Sequence, residues 1–156
     1  MIKDEKHYLT KEKFQEFKNE LDFLRTTRRK EVAENLEYAK ALGDLSENAE
    51  YQEARELQAN VEDRINHLEM ILKSAAIVDE KHGDTVDIGT TIVVQKVGEK
   101  EPVKYKLVGS EEADMSKGLL SNLSPLGAAV LGKKKGDSFS FTSPKGVMNY
   151  KVIDIA

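Results

Sequence analysis

Two long stretches with apolar residues at helical spacing, joined through a short acidic turn, restrict what this chain can fold into more than any other feature. Before the turn, Phe14, Phe17, Leu21, Leu24, Arg28, Val32, Leu36 and Ala39 follow at steps of three and four; after it, Ala54, Leu57, Val61, Ile65, Leu68 and Leu72 repeat the rhythm. Glu, Lys, Arg, Asn and Gln fill the places between. Each stretch therefore reads as a helix with one apolar stripe that it cannot bury alone, and the short loop makes the two antiparallel partners. Thr10 is placed to cap the first helix and Gly43 to end it in the left-handed conformation, which predicts a helix of about 33 residues, or roughly 50 Å. Arg28 interrupts the stripe. Ala39 and Ala54 thin it toward the turn, so a slim end is expected.

The turn itself reads GDLSENAEY from Gly43 to Tyr51. It sets two carboxylates, Asp44 and Glu47, at the tip of the hairpin, where they contribute little to a core and are well placed to enter a partner. A second reading is local. Asp44 and Glu47 have the spacing of a capping box, in which each side chain accepts from the other's backbone N–H, and Ser46 could cap the second helix instead. Lys40 and Arg55 stand one or two turns from the tip as candidate contacts to a partner or RNA. Asn48 and Tyr51 either orient the loop or make such contacts; Glu50, Glu53 and Glu56 read as solvated helix surface.

The texture changes after Ala75. Residues 76–87 contain Gly83 and several acids and read as a linker, after which the period shifts toward two. Strands are predicted over Thr90–Val97, Val103–Val108, Ser138–Thr142 and Met148–Ile155, with turns at Gly136-Asp137 and Pro144-Lys145-Gly146. Ser124-Pro125 starts a short helix, with Ser as N-cap and Pro in the first turn. Leu107, Leu119, Leu120, Leu123, Leu126, Val130, Leu131, Phe139, Phe141, Val147, Val152 and Ile155 are the expected core. The division is thus a hairpin over residues 1–79 and a small α+β domain over 80–156, an α+β chain overall.

Charge limits the partners. Residues 1–79 carry 13 Lys and Arg against 18 Asp and Glu, which argues against free binding to duplex nucleic acid. Arg25, Arg28, Arg29 and Lys30 form a local basic cluster, either ion-paired to Asp22, Glu31 and Glu34 or facing RNA or a partner. With no cysteine, disulfides, thiolate metal sites and Cys nucleophiles are excluded. The three histidines are scattered, and no serine has a neighbouring base. No signal-peptide pattern and no apolar run near 18 residues occur, so a cytoplasmic location is expected.

Taken in order, LDFLRTTRRKEV, GDLSENAEYQEARE, IVDE, SPLGAAVLGKKKGD and the final YKVIDI resemble, over nearly the whole chain, the GreA/GreB family of bacterial transcript cleavage factors. The resemblance implies an N-terminal antiparallel coiled coil and a C-terminal FKBP-like domain that docks on RNA polymerase. It implies insertion of the coiled coil through the polymerase secondary channel, stimulated cleavage of backtracked RNA near its 3′ end, and no autonomous nuclease. Asp44 and Glu47 match the family's tip carboxylates, which help to hold a second Mg²⁺ in the complex; the free protein is expected to bind none. The acidic hairpin favours the GreA type. The alternatives are a channel-binding inhibitor, disfavoured by the intact acidic pair, and a coiled-coil adaptor with a prolyl-isomerase-like domain. An aromatic-lined proline pocket is not evident from Tyr105, Phe139, Phe141 and Tyr150.

Overall fold

The computed structural model describes residues 6–44, 47–79 and 83–156. In chain order the elements are β1 (His7–Leu9), α1 (Lys11–Phe23), a π-helical turn (Leu24–Arg28), α2 (Arg29–Ala41), α3 (Ala49–Lys73), β2 (Ala75–Ile77), β3 (Thr91–Lys96), β4 (Val103–Val108), β5 (Leu119–Ser121), α4 (Pro125–Val130), β6 (Ser138–Ser143) and β7 (Gly146–Ile155). Two short 3-10 turns, Ser110–Glu112 and Met115–Lys117, precede β5. The chain forms two compact units, Phe14–Ser74 and a second made of Met1–Lys13 with Ala75–Ala156. Sequence texture had placed the division after residue 79, with the N-terminus in the hairpin; compactness groups that N-terminus with the C-terminal half.

In the hairpin unit, Phe17, Leu21, Val32, Ala39, Ala54, Val61, Ile65, Leu68 and Ile71 are buried, following the two stripes. Ile71 was absent from the expected stripe; Leu72, which was in it, is only half-buried. The first arm is not the single α-helix that its caps predicted. Three successive steps of four, from Leu24 through Arg28 and Val32 to Leu36, would carry an ideal α-helical stripe about 120° around the axis. A wider π turn takes up that drift: the Arg29 N–H reaches back five residues to the Leu24 carbonyl. The Thr26 hydroxyl donates to the Asp22 carbonyl at 2.7 Å within the same turn. Arg28 consequently sits at the margin of the seam, half-exposed and paired with Glu31 at 3.2 Å.

The second unit holds a five-stranded sheet in the order β5-β4-β3-β7-β6, antiparallel except for the β4–β5 pair. One face buries Ile92 and Val94 of β3, Leu107 of β4, Leu120 of β5, Phe139 of β6 and Val152 of β7, with Val130 of α4 and Val86. Across β6 and β7 the Tyr150 ring stacks with Phe139 and Phe141, centroids 5.8 and 5.7 Å apart. Burial raises the Tyr105 phenol above its ordinary pKa, with a smaller contribution from Tyr150. Of the expected core, Leu123 and Val147 are 70% and 65% exposed and lie outside it. The expected linker is structured at both ends: its first residues close β2, and Val86 is buried in the core.

β1 pairs in parallel with β2, and Leu9 is almost fully buried. The Thr10 backbone N–H and hydroxyl both donate to Glu112 Oε1, at 2.7 and 2.9 Å, while Thr10 Oγ1 accepts from the Lys13 N–H as the expected helix cap. Gly109 lies against Tyr8, so close that a Cβ there would overlap the Tyr8 carbonyl.

At the start of α4, Ser124 Oγ accepts from the Gly127 N–H at 3.1 Å and donates to the Ser121 carbonyl at 2.7 Å. A Cβ on Gly127 would overlap that same carbonyl. Gly127→Ala is therefore expected to destabilise the sheet unit by roughly 1–3 kcal/mol, the usual cost of overpacking, read as an earlier urea transition in the near-ultraviolet signal of Tyr105 and Tyr150. An unchanged midpoint would show that the β5–α4 turn relaxes freely.

Candidate functional site: the hairpin tip

The first arm ends with α2 at Ala41, and Gly43 follows with φ +107°, the left-handed conformation expected of it. The closing carbonyls are used: the Leu42 N–H donates to the Ala39 carbonyl at 3.2 Å and the Gly43 N–H to the Lys40 carbonyl at 3.3 Å. Asp44 comes next, exposed, and Glu47 is exposed on the other side of the turn. Of the tip candidates, Ser46 lies outside the described residues.

Asn48 organises the turn. Its side-chain oxygen accepts from the Tyr51 N–H at 3.0 Å and caps α3, while its side-chain nitrogen donates at 2.7 Å to the Ala39 carbonyl of α2. One amide thus satisfies a helix start and ties it to the end of the preceding helix; the carbonyl it reaches already accepts from Leu42 and has a second lone pair to offer. A capping box would have begun the helix right after Asp44. The helix begins at Ala49, and Asn48, not Asp44, is its N-cap. Asp44 and Glu47 consequently belong to the turn ahead of α3.

The other candidates divide by position. Near the tip, the Arg55 guanidinium lies 5.9 Å from the centre of the Tyr51 ring, a cation–π contact between residues one turn apart. Lys40 is exposed in the last turn of α2, where it also opposes the negative end of the helix dipole. Farther down, the basic cluster is largely engaged. Arg29 makes a two-pronged pair with Glu62 at 2.9 and 3.0 Å, Arg25 pairs with Glu69, and Arg28 pairs with Glu31. Hydrogen bonding to Glu62 raises the Arg29 pKa above its ordinary value, with Coulomb attraction from Glu62 and Glu69. Of the partners expected from neighbouring sequence, Glu31 is used; Arg25 and Arg29 instead cross to α3. Arg64 of α3 reaches Glu20 in the same two-pronged way, at 2.7 and 2.9 Å, and its guanidinium lies over Phe17. These exposed pairs contribute little stability individually; all but Arg28–Glu31 link the two arms of the hairpin. Lys30 has no ion-pair partner among the described residues.

Sequence reading missed two features near the tip. The bond from Asn48 to Ala39 bridges nine residues and leaves no periodic trace, although an Asn three residues before Tyr51, with an acid in the first helical turn, was a legible cap signal. Tyr38 is 67% exposed and lines one groove with Glu50 and Glu53, which are exposed as their reading as solvated helix surface expects. No three His, Asp or Glu side chains converge as a metal site among the described residues, and no helix among them is long and apolar enough to cross a membrane.

Comparison with known proteins covers nearly the full chain. Residues 7–77 match the family model "Transcription elongation factor, N-terminal" and residues 80–156 match "Transcription elongation factor, GreA/GreB, C-term". The transcription elongation factor GreA of Chloroherpeton thalassium is 47% identical over 97% of each chain, and that of Alkaliphilus oremlandii 45% identical over 99% of each. Among solved structures, GreA factor homolog 1 (Gfh1) of Thermus thermophilus aligns at 27% identity over 97% of this chain and 99% of that one, with a TM-score of 0.45.

Proposed function

As this chain belongs to the GreA/GreB family of transcription elongation factors, we propose that it enters the secondary channel of bacterial RNA polymerase and stimulates cleavage of backtracked RNA. The observation that carries this reading is the exposure of Asp44 and Glu47 at the end of a hairpin whose two helices are tied beneath them by Asn48. Carboxylates presented in this way have no core to serve. They can be inserted and brought to a partner's site near the RNA 3′ end.

The tip suits Mg²⁺ in part: two carboxylates are hard donors, but the ion takes about six oxygens, so polymerase, RNA and water must complete the set. Bound in the complex, Mg²⁺ would supply an activated water and charge stabilisation for phosphodiester hydrolysis. Asp44 and Glu47 would hold it, Asn48 would fix the turn that carries them, and Lys40, Tyr51 and Arg55 would face the channel. Ser46 belongs to the same motif. The basic cluster contributes mainly to the hairpin, with Lys30 left to face a partner or RNA. The chain stimulates the polymerase's own endonuclease and needs no nuclease centre itself, and it acts in the cytoplasm where polymerase works.

A Mg²⁺ titration of stalled, backtracked complexes with 3′-labelled RNA tests this. Wild-type protein is expected to lower the Mg²⁺ needed for cleavage, and to leave naked RNA intact. Raising Mg²⁺ should partly restore Asp44→Asn by mass action, whereas Asp44→Lys, which repels the ion, should stay inactive. Failure of the wild type to accelerate cleavage would remove the proposed function; an unchanged Mg²⁺ requirement would remove the metal from it.

A further inference from the structure

From the groove beside the tip we infer a docking site for an arginine side chain of the protein partner. Tyr38 and Asn35 of α2 and Glu50, Glu53 and Leu57 of α3 line an open groove of about 230 Å³ whose floor includes the small residues Ala39 and Ala54. Its aromatic ring is exposed, and its two carboxylates lie three residues apart on one helix face. Lower in the hairpin, Glu20, Glu62 and Glu69 are each matched by an arginine. Among the described residues Glu50 and Glu53 have no ion-pair partner. The helix dipole accounts for an acid at Glu50 in the first turn of α3. It accounts neither for Glu53 nor for the exposed tyrosine that lines the same groove.

The chemistry selects the occupant. A guanidinium stacks on a tyrosine face and presents planar N–H donors to carboxylates, which a compact ammonium does less well. RNA is disfavoured, because its phosphates would meet Glu50 and Glu53. The inference rests on the proposed function for the identity of the partner, RNA polymerase, and adds to it a contact separate from the tip carboxylates: the groove holds the hairpin in place, while Asp44 and Glu47 act.

Binding is measured with the full chain, dye-labelled through A156C, on core RNA polymerase with and without a backtracked transcript, alongside stimulated cleavage at saturating factor. Tyr38→Ala and the double variant Glu50→Gln/Glu53→Gln are each expected to bind about ten-fold more weakly. Tyr38→Phe should bind like wild type, and the double Gln variant should show a flatter salt dependence. Cleavage at saturation and helical circular dichroism should be unchanged in all of them. Wild-type affinity in both the Tyr38→Ala and the double variants, beside a wild type that binds and stimulates, would overturn the groove and leave the proposed function standing. Weakening seen only when transcript is present would make RNA the occupant and also overturn it. A wild type that does not bind polymerase would overturn both readings.

Discussion

Asp44→Ala and Glu47→Ala are each expected to lower stimulated transcript cleavage by about 100-fold or more, with the protein still folded and still competing with wild type for polymerase. The size follows from metal chemistry: loss of even an outer partner of a metal ligand typically costs 10–100-fold, and these residues are proposed as ligands. That folding survives follows from their position. Both are exposed, both precede α3, and the cap of that helix belongs to Asn48. Circular dichroism and a competition assay against labelled wild type check the two halves of the expectation. A variant that unfolds or loses polymerase binding would return these carboxylates to a structural role.

Asn48→Ala is expected to have the largest effect on the tip without touching a proposed ligand. It removes a cap worth about 1 kcal/mol and a second hydrogen bond of about the same size, leaving Ala39 with only its Leu42 donor, for a local loss of roughly 2 kcal/mol. Amide hydrogen exchange should therefore quicken in Glu50, Tyr51 and Gln52, while Ile65 and Leu68 remain protected in the buried part of the seam. Stimulated cleavage should fall because the carboxylates lose their fixed support. Asn48→Asp keeps the acceptor for Tyr51 but loses the donor to Ala39, so it should recover about half of the stability. Equal exchange in wild type and Asn48→Ala would show that the turn is held by other bonds.

These two experiments probe different kinds of information. Asp44 and Glu47 could be singled out from composition and place: acids at a glycine-opened turn between two apolar stripes. The role of Asn48 was only half legible. Its cap on Tyr51 is a local pattern, whereas its bond to Ala39 depends on how the two helices face each other. Likewise the basic cluster was visible as a run of charges, but the partners Glu62 and Glu69 stand 33 and 44 residues away, and only packing brings them to Arg29 and Arg25.

The sequence by itself determined the two arms, the tip between them, the helix starts at Thr10 and Ser124, the left-handed end at Gly43, and four strands of the sheet. Each is written in periodicity or turn chemistry within a few residues, where backbone preference and one-sided burial act directly. Tertiary structure decided the rest. The three-residue strands β1, β2 and β5 are too short to show a period and exist because neighbouring strands complete their hydrogen bonds. Residues 6–13 join the second unit because Leu9 is buried there and Thr10 finds Glu112, 102 residues away. The π turn arises because a stripe drifting at steps of four must still meet α3 on both sides of Arg28. Such choices depend on contacts between distant segments, whose benefit appears only once the chain has brought them together.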